Sequence, residues 1–551
     1  MKNKINSISV ALITILTFSP ITLMADEKED LLVLRNTVIN LMQKLVEQGV
    51  MTPEQAKSLV ETAQTTAASE VEEIKKLEQV PEDTVRVQYV PEIVKQEIRD
   101  QVRNELRAEV TEDVIKHAAT NRWGVKDSLP EWLNKIKVSG DIRVRADGEY
   151  LDENNSINYL DVREINDSRD IAFLNTRDDR ERTRIRMRLA IDAKVNNSLD
   201  ARIRLSSGNT TDPVSTNQTL GNSGGRYDTV IDQAYLKYKG HNNDGYNWLT
   251  AWAGRIPNPW FSSDLIWDSD LNFEGAAATM RHNFSGSDSL YDLTESNKEV
   301  FLTFGAFPLE EFAESSNDPW LFGAQLGGSY TFNNQSVIKL GAAYYHYDDI
   351  KGDRAPNGED DIFEYRVPEF FQQGNTLFAI NDPLAGPLLG YAADYELLSY
   401  TGELDFTMFA PYRLRLTGEY VDNIGYDSND VEERLNNPDY EAETTAYQFR
   451  ADFGWPETTL AGNWKIFAAY KYIERDAVLD AFTDSDFHGG GTDAEGYILG
   501  ADYGLGRNAW LSFKWISTNE ISGQEFFGID CDVVDCSYRY DRAQFDLNAK
   551  F

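Results

Sequence analysis

Cysteine is almost absent from this chain: two residues in 551. Two thiols cannot make a disulfide scaffold or a four-thiolate zinc site. The five histidines are scattered, which argues against a histidine-based metal centre. Basic charge is short. There are 53 Lys and Arg against 91 Asp and Glu, a formal net charge of −38. That balance lacks the basic footprint nucleic acid requires, and it argues against docking on anionic lipid through a polybasic face. Long hydrophobic runs are missing beyond the first two dozen residues, and mean hydropathy is −0.48. A bundle of transmembrane helices is therefore excluded. No HExxH or Walker loop occurs.

What the chain does have is aromatic surface and acid: 27 Tyr, 27 Phe and 11 Trp. This is the composition of a secreted β protein or an outer-membrane barrel. Residues 1–25 read as a secretory signal, with Lys2 and Lys4 before a short apolar core and a cleavage site before Asp26. A retained anchor helix is the rival reading, and the core is short for a bilayer span. Residues 26–122 are helical in pattern. Leu31, Leu34, Val38, Leu41 and Leu45 form a 3-4-3-4 heptad seam. Val94, Ile98, Val102, Leu106, Val110 and Val114 make a narrow stripe suited to packing on copies of itself or on another surface. Residues 123–135 form a linker.

From residue 136 the hydrophobic period becomes two. Val138, Gly140, Ile142 and Val144 share one face, and Ser139, Asp141, Arg143 and Arg145 share the other. Sixteen such segments fit between 136 and 551, each long enough for a tilted bilayer crossing. Connections after even-numbered segments are mostly tight, and those after odd-numbered ones mostly long and polar. That is the asymmetry of a bacterial outer-membrane barrel. The expected fold is thus an all-β transmembrane barrel of about 16 antiparallel strands behind an N-terminal helical, coiled-coil extension. Trp248, Trp252, Tyr344, Tyr345, Tyr347, Tyr470, Tyr472, Trp510 and Trp515 cluster near strand ends as interfacial girdles; aromatic pairs in a soluble core are the alternative.

The final strand puts Ala543, Phe545, Leu547, Ala549 and Phe551 on one face. A last strand closing on Phe551 resembles the signal read by the outer-membrane barrel assembly machinery. Three stretches also resemble the putative porin family of Gram-negative bacteria with an N-terminal helical extension. They are Leu34 to Leu41 (LRNTVINL) with LVEQGV from Leu45, then YVPEIVKQEI from Tyr89, then LPEWL from Leu129 followed by GDIRVR from Gly140. The resemblance implies a water-filled diffusion channel for small hydrophilic solutes or ions, in the cell outer membrane and in contact with its lipid. It names no solute and no catalytic residue, and from the residues no cofactor and no metal site are expected. The N-terminal segment is expected in the periplasm. Assembly is expected to be a homo-oligomer, a trimer by analogy with porins of this size, and contact with peptidoglycan is open.

Two other functions stay open on the residues. A structural anchor could tie the envelope through the coiled coil, but sixteen strands leave an aqueous lumen. An outer-membrane hydrolase would need a Ser beside His282 or His346. A TonB-type transporter would need about 22 strands and a plug. The Asp-rich stretches 264–270 and 358–361 could bind Ca²⁺, although solvated acidic loop is the plainer reading.

The lumen can be drawn from the alternation. The apolar partners from Ile185 onward face lipid, so Arg180 and Arg182, and with them Arg184, Arg186 and Arg188, face inward. Arg143, Arg145, Arg202 and Arg204 fall on the same face, where acids are few, chiefly Asp141, Asp192 and Asp200. These arginines are expected to line the pore, opposite Asp264, Asp268 and Asp270 on a constriction loop after the fifth strand. The apolar 350–396 connection is a second candidate for an inward loop. Cys531 and Cys536 are expected to form a disulfide in an external loop, because the periplasm is oxidising.

Overall fold

A computed structural model describes residues 135–208, 210–242, 245–284, 298–311, 318–354, 369–381, 386–523 and 537–551. The signal segment, the heptad seam, the linker up to residue 134, the 358–361 stretch and both cysteines lie outside the described residues.

Sixteen long strands make one antiparallel sheet that closes on itself. They are β1 (Ile136–Leu151), β2 (Arg180–Lys194), β3 (Leu199–Ser206), β4 (Val230–His241), β5 (Asn247–Pro257), β6 (Asn272–Asn283), β7 (Lys298–Pro308) and β8 (Trp320–Thr331). The second half is β9 (Val337–Asp348), β10 (Glu396–Phe406), β11 (Arg413–Asn423), β12 (Thr445–Gly454), β13 (Trp464–Ile473), β14 (Ala494–Gly506), β15 (Ala509–Glu520) and β16 (Arg539–Lys550). The two-residue segment Gln218–Thr219 adds a short pairing against β2. All sixteen segments expected from the alternation are present.

Closure is made by β1 against β16, with Val144 opposite Leu547 and Ile142 opposite Ala549. Phe551 exchanges two 2.9 Å backbone bonds with Gly140. Its ring lies across that glycine, where an added Cβ would stand 2.6 Å from the ring. The terminal aromatic thus covers the seam, and a bare glycine makes room for it.

Alternation fixes the two faces. Ile142, Met187, Ile203 and Leu236 are each 40–53% exposed, while Arg145, next to outward Val144, is 3% exposed. An outward apolar row and an inward polar row is the signature of a barrel in lipid. Among the described residues no helix is long and apolar enough to cross a membrane. The girdle expectation needs one correction. Tyr344, Trp248 and Tyr497 are outward, but Tyr345 and Tyr347 are buried inside, and Trp252 packs inward under Lys237. A period of two cannot put Tyr344 and Tyr345 on one face.

The buried hydrophobic core lies within the barrel and is built by loops. Leu265, Ile266 and Trp267 pack with Phe273, Phe307 and Tyr345; Phe371, Leu389 and Tyr391 join them with Val478 and Leu479. Two short helices, α1 (Val162–Ser168) and α2 (Ser428–Leu435), sit in the loops. Each starts on an aspartate that accepts a backbone N–H and ends on a left-handed residue.

Candidate functional site

The arginine rows of β1 and β2 face each other in register. Arg143 is opposite Arg186, and Arg145 is opposite Arg184. Like charges directly across a strand pair repel, so this arrangement needs carboxylates between the guanidiniums. Asp546 of β16 takes Arg145 through two bonds of 2.7 and 2.9 Å. Asp141 takes Arg188 at 2.9 Å and Arg186 at 3.3 Å. Asp147 takes Arg182 at 2.8 Å, and Arg542 through two bonds of 2.8 Å. Arg202 pairs with Asp192 at 2.8 Å and Arg204 with Asp232.

The expected acid-poor wall is therefore corrected. Asp147, Asp232 and Asp546 sit on the same inward face, and Asp270 and Asp486 reach it from loops. Asp200 instead pairs with Lys239. Asp546 and Arg542 were legible in the sequence, as the alternates of outward Ala543 and Phe545. Asp486 was not, because nothing local aims a loop carboxylate at a wall far along the chain. Arg143 and Arg184 are the least compensated. Arg143 donates to Asn217 at 2.5 Å and has Asp546 at 3.8 Å; Arg184 has Ser215 at 3.4 Å and Asp147 at 3.7 Å.

The loop after β5 runs along the inner wall. Trp260 seats against Gly323, where a Cβ would lie 2.6 Å from the indole. The Phe261 backbone exchanges two 2.8 Å bonds with the Gln325 amide. Ser263 donates N–H and Oγ–H to Glu419 of β11 at 2.7 and 2.5 Å. From there the three expected constriction acids diverge. Asp264 accepts from Gln448 at 2.7 Å and lies 3.3 Å from Lys471. Asp268 accepts the N–H of Ser485 at 3.1 Å. Asp270 reaches Arg188 at 3.2 Å, Arg186 at 3.4 Å and Thr216 Oγ1 at 3.1 Å.

These acids do not stand together opposite the arginines. One touches the arginine wall, one the β12–β13 wall, and one another loop. Burial alone would raise Asp270, but Arg186, Arg188 and Arg143 outweigh it and hold the carboxyl below the ordinary value. At Asp268 burial is reinforced by Asp484 and Asp270, and the carboxyl is pushed well up. Charge at the site thus follows the wall each acid reaches.

A second inward loop escaped sequence reading. Residues 474–493 carry Asp486 to Arg145 at 3.2 Å, Arg542 at 3.3 Å and Lys514 at 3.5 Å. Asp484 accepts from the fully buried Lys471 at 3.0 Å. Residues 386–395 pack against this loop: Tyr391 donates to Asp480 at 2.5 Å and Tyr395 to Asp476 at 3.0 Å. Of the two histidines weighed for hydrolysis, His346 lies 3.5 Å from Glu396 and His282 packs edge-on to Phe284. Among the described residues no group of three or more His, Cys, Asp or Glu could hold a metal ion.

A family model described as putative porin matches residues 35–551. The fold is similar to that of the outer-membrane channel DcaP of Acinetobacter baumannii, at 12% identity over 76% of this chain and 98% of that one, TM-score 0.38. It is also similar to Pseudomonas putida OprB at high pH, at 14% identity over 78% and 97%, TM-score 0.41. A third similar structure is an anion-selective porin from Comamonas acidovorans, at 10% identity over 76% and 99%, TM-score 0.37. No curated protein matches the chain. With a closed sixteen-stranded barrel, an inward polar face and a family match over most of its length, the chain belongs to the putative porin family and forms an outer-membrane diffusion channel.

Proposed function

We propose that the channel prefers anions, and that the arginine wall of β1–β3 sets this preference. The observation that carries the reading is the in-register opposition of Arg143 with Arg186 and of Arg145 with Arg184. Four guanidiniums at one level keep their charge at any working pH and offer paired donors to carboxylate or phosphate. Asp270 and Asp486 arrive on loops and trim the positive field without cancelling it at Arg143 and Arg184. The net charge of −38 acts elsewhere, since loop charges are screened within about 8 Å at physiological salt.

In planar bilayers with a KCl gradient, Arg186→Glu plus Arg204→Glu is expected to move the reversal potential toward cation preference. An unchanged potential would return the wall to a structural role. On this reading the 26–122 segment lies in the periplasm, where it would meet the cell wall, and the barrel is inserted by the assembly machinery through Phe551.

A further inference from the structure

At the loop ends of β3 to β8 lies a cleft of about 600 Å³, within the range of small-molecule sites. One side is apolar: Phe307, Leu309, Leu321, Phe370 and Phe482 line it. The other side is acidic, with Asp212, Asp232, Glu274, Glu310 and Glu369, and Arg255 is the one basic residue lining the cleft. Asp232 is taken by Arg204, and Glu274 by Arg255 at 2.6 Å. Glu310 and Glu369 differ. The Glu310 carboxylate accepts the backbone N–H of Glu369, which brings the two residues together. Among the described residues neither has a basic group in ion-pair range.

We propose that this cleft binds a small organic cation with an apolar body, such as an aromatic or alkyl amine. Its ammonium would sit between Glu310 and Glu369, and its body against Leu309 and Phe370. Aromatic faces attract cations as well as apolar groups. Phe370 already does so here, with the Arg163 guanidinium 4.5 Å from its ring centre. Glu310 and Glu369, beside an aromatic wall, suit an amine better than an anion. They also suit an organic cation better than a hydrated metal ion, which would leave the apolar wall wet. Burial and the neighbouring Glu369 push the Glu310 carboxyl up to about 7, as expected of a carboxylate awaiting a counter-charge. The inference goes beyond the anion preference and rests only on the outer-membrane channel for the entry of the solute.

The test is calorimetric titration of the full chain in detergent with three probes: 2-phenylethylammonium, methylammonium and 3-phenylpropionate. The first is expected to bind at least about tenfold more tightly than the other two. Glu310→Gln plus Glu369→Gln should remove that preference, and KCl conductance in bilayers should persist. Phe370→Ala should bring 2-phenylethylammonium down toward methylammonium, which gives a second readout should the double variant fold poorly. Equal binding of the three probes, or an affinity the double variant leaves intact, would overturn the site. A wild-type protein without KCl conductance would instead overturn the channel reading, whatever it binds.

Discussion

Asp147 and Arg542 are almost wholly buried, yet both belong to strands whose outer faces meet lipid. Their two 2.8 Å bonds answer the cost of burying each charge. Removing Asp147 leaves Arg542 with Asp486 alone at 3.3 Å and takes a carboxylate from Arg182, at a cost of up to roughly 3–5 kcal/mol. Asp147→Ala should therefore lower the temperature at which the barrel unfolds, read as loss of the compact band on unheated electrophoresis. Asp147→Leu plus Arg542→Met, which removes both charges, should recover part of the loss, since Arg182 still lacks Asp147 and Asp486 still lacks Arg542. If the double variant is no better than the single one, the pair is not the source. At this scale the sequence showed which side chains point inward. It did not show which acid each arginine meets, because Arg145–Asp486 and Arg145–Asp546 join residues hundreds of positions apart.

Among elements, the strands were legible and the loops were not. A strand announces itself through alternation of period two, and the tight turns at 196–197 and 334–335 set its register. An inward loop has no period. The 257–268 stretch and the 350–396 connection drew notice through aromatic and aliphatic residues, but the 474–493 loop reads as an ordinary polar connection. Its packing depends on buried carboxyls. Burial pushes both Asp480 and Asp493 up to about 7, despite hydrogen bonds to Asp480 from Tyr391 and Gln372 and the Arg475 charge near Asp493. The folded form thus holds these protons more tightly than the unfolded chain, whose carboxyls titrate near 4. The packed loops gain stability as pH falls from 7 to 4 and lose it as pH rises through 7. Cleavage of residues 474–493 by a broad-specificity protease should accordingly be slower at pH 5.5 than at pH 8.5. Asp480→Asn should flatten that dependence. Faster cleavage at pH 5.5 would refute the sign.

For the whole molecule, assembly is the open level. The heptad seam expected from Leu31 to Leu45 lies outside the described residues, and its 3-4-3-4 spacing suits self-association. Full-length protein in mild detergent should scatter light as a trimer, and Leu34→Asp plus Leu41→Asp should reduce its mass. A monomeric wild type, or unchanged assembly in the variant, would remove the seam from that role.

The sequence by itself determined the barrel: sixteen strands, their order and the face each side chain takes. Those follow from local periodicity and from the rule that neighbours in sequence pair in space. Tertiary structure decided the interior. Three segments fold back into the barrel, Asp264, Asp268 and Asp270 part toward two walls and a loop, and the arginine rows receive acids from β4, β16 and distant loops besides their own strands. The physical reason is range. Alternation acts between residues two apart, whereas a buried guanidinium takes whichever carboxylate closure of the barrel brings within 3 to 4 Å, regardless of its place in the chain.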